Sequence, residues 1–219
     1  MIYTVICRYE KGDCPSWQSL SDIPDAIASF IKTKRSEKTK KERVLAYTAL
    51  CVALRELFLI DSFTLLHTKD GKPYIECEKN NPPKINISHS NNIAAVTLSD
   101  EGDVGVDIEI CGDGENVKRL CERFFPEARL EKSNLNIKYL QFSLEEGGKY
   151  LLSAFEDGYF GDGASDVSLW TYCEAIMKCD GRGFGAAGEI STLSHTYSVE
   201  TRLVEIEGKK FSISTAKEK

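Results

Sequence analysis

The sequence is short of the residues that build metal staples and redox pairs. Its 219 residues include three histidines, and none of its eight cysteines (Cys7, Cys14, Cys51, Cys77, Cys111, Cys121, Cys173 and Cys179) falls in a C-x-x-C pair. A structural zinc site is therefore not expected. Positive charge is in deficit: 28 Lys and Arg face 34 Asp and Glu, a net charge of −6. Coating nucleic acid requires the opposite balance, so nucleic acid is not an expected partner. Long apolar runs are missing, and the opening MIYTVICRYEKGD breaks at Arg8 instead of beginning with charge as a secretory leader does. The expectation is a cytoplasmic chain with no membrane segment, whose thiols are reduced and act mostly as small buried hydrophobes. The phosphate loop GxxxxGK[ST] and the kinase HRD and DFG motifs are absent, which disfavours transfer from nucleoside triphosphates. Gly181-Arg182-Gly183 lacks GxGxxG spacing and follows a helix, so it is no dinucleotide fingerprint.

What is present is an alternation of strand and helix patterns. MIYTVICRY alternates as a strand does, and Ser21 to Phe30 reads as a short helix capped by Ser21 or Asp22. Lys32 to Arg43 carries seven cations (Lys32, Lys34, Arg35, Lys38, Lys40, Lys41 and Arg43) against Glu37 and Glu42. It runs into VLAYTALCVALRELFL, where Leu45, Ala49, Val52, Ala53 and Leu57 recur at helical spacing. FTLLHTKDGKPYIEC reads as two extended pieces about an Asp70-Gly71 turn. KINISHS, IAAVTLSD and VGVDIEI read as strands, separated by Asn91-Asn92 and by SDEGD. Further helices are predicted over Val117 to Phe125 and Val167 to Cys179, the latter ended by Gly181 and Gly183. Between Pro126 and Asp166 the pattern is weakest, with a helix expected around Ile137 to Phe155 and a loop at EDGYFGDGASD. The whole is an α+β chain in two halves, residues 1–102 and 103–219.

Two constellations carry chemistry. In VGVDIEI, Asp107 and Glu109 are two apart on a strand and share a face, an arrangement that suits a hard divalent cation. An exposed acidic strand face is the alternative. Glu174 and Lys178 lie at i and i+4 on one helix face, as an ordinary surface ion pair or as a base and metal ligand beside a phosphate-binding cation. His89, with the hydroxyls of Ser88 and Ser90, offers donors to an anion at a strand end, and the basic stretch before Leu45 attracts phosphates or an acidic partner.

Taken in order, Gly71-Lys72-Pro73, Asn86-Ile87-Ser88-His89-Ser90, Val104-Gly105-Val106-Asp107-Ile108-Glu109 and Trp170-x-x-x-Glu174-Ala175-x-x-Lys178-x-x-Gly181-x-Gly183 resemble the surfactin-type 4′-phosphopantetheinyl transferases. The resemblance covers about residues 38–123 and 169–184. It implies two pseudo-symmetric α+β halves, each a small, largely antiparallel sheet packed on a long helix, with the active site between them. It implies transfer of 4′-phosphopantetheine from coenzyme A to a serine of an apo acyl or peptidyl carrier protein, with release of 3′,5′-ADP, by a monomer using Mg²⁺ or Mn²⁺. By position, Asp107, Glu109 and Glu174 correspond to the metal ligands, and Glu174 also to the base for the serine. Lys178 and His89, with Ser88, correspond to the groups around the pyrophosphate. Lys72 and Arg43 correspond to those holding the adenosine end and its 3′-phosphate. Two departures stand out. Cys173 occupies a position where the family has Lys, removing a charge expected beside the phosphate site, with Arg182 as a substitute cation. A stretch of 44 residues (126–169) separates Phe125 from Trp170, longer than expected, where the carrier protein is expected to dock. They motivate an alternative, a non-catalytic module that binds coenzyme A or a carrier protein. Against it stands the retention of Asp107, Glu109, Glu174 and Lys178 together.

Overall fold

The computed structural model describes residues 1–9, 23–33, 35–112, 114–131, 133–144, 150–155 and 166–219. Strand β1 (Ile2–Tyr9) lies at the centre of a five-stranded sheet and is buried on both faces. Period two divides its side chains: Val5, Cys7 and Tyr9 face one way, Thr4 and Ile6 the other. β5 (Ile93–Ser99) pairs with it antiparallel, and β4 (Lys84–Ser90) pairs antiparallel with β5 at the sheet edge. The face carrying Val5, Cys7, Ile85, Val96 and Leu98 receives helix α2 (Glu37–Phe58) through Leu45, Leu50 and Leu54. Helix α1 (Asp25–Lys32) buries Ile27 and Ile31 in the same core. The hairpin of β2 (Thr64–His67) and β3 (Pro73–Glu76) turns at Gly71, whose φ of 89° requires the missing Cβ.

The opposite face of that sheet, with Ile6, Ile93 and Ala95, packs on a second sheet ordered β6-β10-β9. It comprises β6 (Val104–Ile110), β9 (Tyr197–Ile206) and β10 (Lys209–Glu218). Val106, Ile108, Val204 and Ile213 fill this inner layer. Helix α3 (Gly114–Phe124) follows β6. The outer face of the second sheet carries helix α4 (Asp166–Asp180), whose Tyr172 and Ile176 pack with Val199 and Ala216. The architecture is four layers, helix on sheet on sheet on helix, an α+β fold in which each sheet buries one face on the other. No helix among the described residues is long and apolar enough to cross a membrane.

Two expectations are corrected. Helix α2 begins before the expected VLAYTALCVALRELFL run: Ser36 caps it by accepting from the Thr39 amide, so the basic stretch from Lys38 to Arg43 forms its first turns while Lys32 ends α1. The segment after Ile137 is not helical. β7 (Ile137–Leu144) pairs in parallel with β1 from Ile2↔Ile137 to Tyr9↔Leu144, and β8 (Ser153–Ala154) joins it. Ile137, Leu140 and Leu144 fall at helical spacing, but Leu140 and Phe142 pack on the α2 side while Tyr139 turns to the second sheet. β1's free edge decides the matter. Consequently β7 and β8, downstream of residue 103, belong to the sheet built from the first hundred residues. The proposed cap at Ser21 or Asp22, Cys14, and the loop at 156–165 lie outside the described residues.

Candidate functional site

The site forms where the edge strands β4 and β6 lie side by side. No backbone ladder joins them among the described residues. Instead, alternate side chains of β4 accept the amides of β6: Val106 N–H donates to Asn86 Oδ1 (3.1 Å), Ile108 N–H to Ser88 Oγ (3.3 Å) and Ile110 N–H to Ser90 Oγ (3.4 Å). The constant step of two along each strand means that β4 and β6 run parallel. A strand edge turned inward must satisfy its donors, and here hydroxyl and amide side chains do so in place of a neighbouring backbone. The same hydroxyls then donate onward: Ser88 to Asp107 Oδ1 and Ser90 to Glu109 Oε2, each at 2.8 Å. Asn86, Ser88 and Ser90 therefore clamp the two sheets together and orient both carboxylates.

Helix α4 closes on the outer face of β6 at Gly105. A Cβ there would sit 2.0 Å from the Ala175 carbonyl oxygen and 2.5 Å from the Cys179 nitrogen. The absent side chain lets the helix backbone rest on the strand and brings Glu174 and Lys178, one turn apart, over Asp107. Lys178 Nζ donates to Asp107 Oδ1 (2.5 Å) and Ser88 Oγ (3.1 Å) and lies 3.4 Å from Glu174 Oε2. Asp107 is 2% exposed, and its Oδ2 is buried with no hydrogen-bond partner among the described residues. The alternative of an exposed acidic strand face does not hold at Asp107. Asp107 is as buried as its apolar neighbours, because α4 covers the acidic face.

Charge here is unbalanced, with three carboxylates beside one ammonium. Burial, then the Asp107 carboxylate, pushes Glu174 up to about 7, with Glu109 adding to the rise and Lys178 opposing it. Burial, then Asp107, likewise raises Glu109, against the hydrogen bond from Ser90. Burial works against the Lys178 ammonium, but Asp107 and Glu174 outweigh it and raise its pKa. Among the described residues, no three His, Cys, Asp or Glu side chains converge as a ready metal cage. The cation between Asp107 and Glu174 is Lys178 itself. The donor set nevertheless fits a hard divalent ion: all-oxygen, in excess negative charge, with one buried oxygen unpartnered.

The other sequence-predicted residues divide. His89 follows Ile85 and Ile87 on the opposite face of β4, so Ser88 and His89 straddle the sheet edge. Its Nδ1 lies 3.7 Å from Glu42 Oε2 of α2. Arg43, next along α2, lies over the Phe30 ring (5.4 Å), donates to the Tyr47 hydroxyl (3.4 Å), and keeps a buried Nε with no partner among the described residues. Lys72 is apart from this group. Its ammonium donates to Asp103 Oδ2 (2.9 Å) and the Cys179 carbonyl (2.6 Å), tying the β2–β3 hairpin to the end of α4. It lines a cleft of about 390 Å³ with Thr68, Pro73, Tyr74, Lys84, Ile85 and Asp103.

Cys173 is fully buried in the core between α3 and α4, where burial first and Cys121 second raise its thiol. That position faces the core. Arg182 is not a spare cation either, since Asp180 and Glu189 both bind its guanidinium. Glu42 drew no attention in the sequence beyond its charge, because its proximity to His89 depends on how α2 lies across β4.

No family model matches the sequence. The chain is 25% identical over 177 residues to a protein of Synechocystis sp. provisionally named as a 4′-phosphopantetheinyl transferase. It is 28% identical over 153 residues to the 4′-phosphopantetheinyl transferase AcpT of Escherichia coli K12, and equally to AcpT of strain O157:H7. These matches cover 78% and 69% of this chain but 63% and 65% of the relatives, just under two thirds of their length.

Proposed function

We propose that this chain, a relative of the 4′-phosphopantetheinyl transferases, moves the 4′-phosphopantetheine of coenzyme A onto a serine of an apo acyl or peptidyl carrier protein. The observation that carries the reading is the Asp107–Lys178–Glu174 cluster at the β4–β6 seam, with His89 and Arg43 on the other side of the β4 edge. Phosphoryl transfer between oxygens asks for fixed cations, a positioned nucleophile and a base, all available along this edge.

In this reading the serine hydroxyl attacks the phosphorus attached to pantetheine. A Ser Oγ–P bond forms, and the bond from that phosphorus to the bridging oxygen of the diphosphate breaks, so the bridging oxygen leaves on 3′,5′-ADP. Glu174 takes the hydroxyl proton, being close to the neutral range that makes a carboxylate an effective base. Lys178 and His89 offset the charge on the phosphate oxygens, and Ser88 keeps Lys178 and Asp107 in register. The unpartnered Nε of Arg43 suits the 3′-phosphate, and the cleft beside Lys72 suits the adenosine end. Asp107, Glu109 and Glu174 would hold Mg²⁺ or Mn²⁺, which would supply further neutralisation of phosphate charge.

The test is incubation with coenzyme A, Mg²⁺ and an apo carrier protein, followed by intact mass. Gain of one phosphopantetheine, lost in Glu174→Gln and Asp107→Ala, is the expected result. Tight coenzyme A binding without transfer to any of several carriers would instead establish a binding module.

A further inference from the structure

His89 is the group at this edge that needs help to carry a charge. The side chains facing it are Glu42 and Arg43 from α2 and Lys178 from α4. Burial first, and the two cations after it, hold its pKa below the usual 6.5. Among the described side chains facing it, Glu42 alone acts in the other direction. The Glu42 side chain is 12% exposed, 3.7 Å from His89 Nδ1, and its further partner Lys38, at 3.8 Å, is 78% exposed. With Nδ1 turned to Glu42, Nε2 is the nitrogen left for a ligand. A neutral ring that keeps its proton on Nδ1 offers a lone pair there, which repels a phosphate oxygen. A doubly protonated ring donates to it.

We infer that Glu42 is a positioning residue, holding His89 by Nδ1 so that an anion bound at Nε2 is met by a protonated ring. Binding of the diphosphate then draws a proton onto His89, and coenzyme A affinity falls as pH rises through the pKa of the ring in the complex. The ligand named here rests on the proposed function, whereas the coupling between Glu42 and His89 does not. By charge alone the carboxylate would repel phosphate, so its removal would tighten binding. The inference requires the reverse.

The experiment compares the full chain with Glu42→Gln, which keeps the shape, and Glu42→Asp, which keeps the charge. His89 is titrated by NMR without coenzyme A, its signal assigned among the three histidines with His89→Asn. The expected result is a midpoint about one unit lower in Glu42→Gln, partly recovered in Glu42→Asp. An unmoved midpoint overturns the inference. Coenzyme A affinity is then measured at pH 5.5 and 8. Glu42→Gln should bind about tenfold more weakly at pH 8 and by a smaller factor at pH 5.5, where part of the free ring is already protonated. Equal ratios at both pH values, or tighter binding, also overturn it. If the midpoint moves but the wild type binds no coenzyme A at either pH, the functional reading fails while the coupling stands.

Discussion

Gly105 is where the site can be opened with one methyl group. In Gly105→Ala the new Cβ would lie 2.0 Å from the Ala175 carbonyl oxygen, 2.5 Å from the Cys179 nitrogen and 3.0 Å from its Cα, whereas ordinary contact begins at 3.4 Å. All three neighbours are backbone, so no rotamer relieves the overlap. β6 and α4 must part, by about 1 Å if both yield. Overpacking of this kind typically costs about 1–3 kcal/mol. Parting also stretches the 2.5 Å bond from Lys178 to Asp107, whose other oxygen is already unpaired, and loosening a buried ion pair adds a further penalty of up to about 3 kcal/mol. At about 2–4 °C per kcal/mol for a chain of this size, a total of about 1–6 kcal/mol lowers the thermal midpoint by about 2–24 °C. Below the new midpoint, transfer should still drop by about tenfold or more, since misplacement of about 1 Å disrupts a near-attack geometry. The assay is calorimetric melting paired with carrier modification at 20 °C below the melt. A Gly105→Ala chain with wild-type midpoint and wild-type turnover would refute the reasoning, because nothing else in the contact can give way.

Ser88→Ala removes the acceptor for the buried Ile108 amide and the donor to Asp107, and should destabilise by about 1–3 kcal/mol, read as a lower urea midpoint at unchanged slope. Ser88→Thr, which keeps the hydroxyl, should recover most of it. Glu174 has a folded pKa raised from 4.5 to about 7, so its stabilising contribution is complete below 4.5 and is lost as pH rises through about 7. Glu174→Gln should therefore be more stable than wild type at pH 8 and not at pH 4.5, when melts are run without divalent ions. Millimolar Mg²⁺ should raise the wild-type midpoint at pH 8 and leave the variant's unchanged. A wild type indifferent to Mg²⁺ would count against Asp107, Glu109 and Glu174 as its ligands.

Much of the fold could be read from one-dimensional patterns, because those patterns are local physics. Leu45 to Leu57 repeat at the period of a helix, and VGVDIEI alternates at the period of a strand, whatever surrounds them. The Asp70-Gly71 turn and the helix ending near Gly181 follow from backbone freedom alone. The misreading of Ile137 to Leu144 marks where local information stops. Its apolar spacing satisfies both periods, and the choice was made by the unpaired edge of β1, more than a hundred residues earlier in the chain. Ser36, a cap residue by type, starts α2 within the basic run.

For the site, the sequence by itself determined the inventory: paired carboxylates on a strand, Glu174 and Lys178 a turn apart, and hydroxyls alternating with apolar residues in NISHS. What each group does was decided only in three dimensions. Two sheets stacked with their edge strands in parallel turned Asn86, Ser88 and Ser90 into a clamp for β6. The bare backbone of Gly105 let α4 settle on the acidic face, burying Asp107 beside Lys178. The lie of α2 across β4 set Glu42 against His89, and the core between α3 and α4 took in Cys173. Electrostatic coupling depends on distance and burial, and neither is a property of a residue's neighbours along the chain.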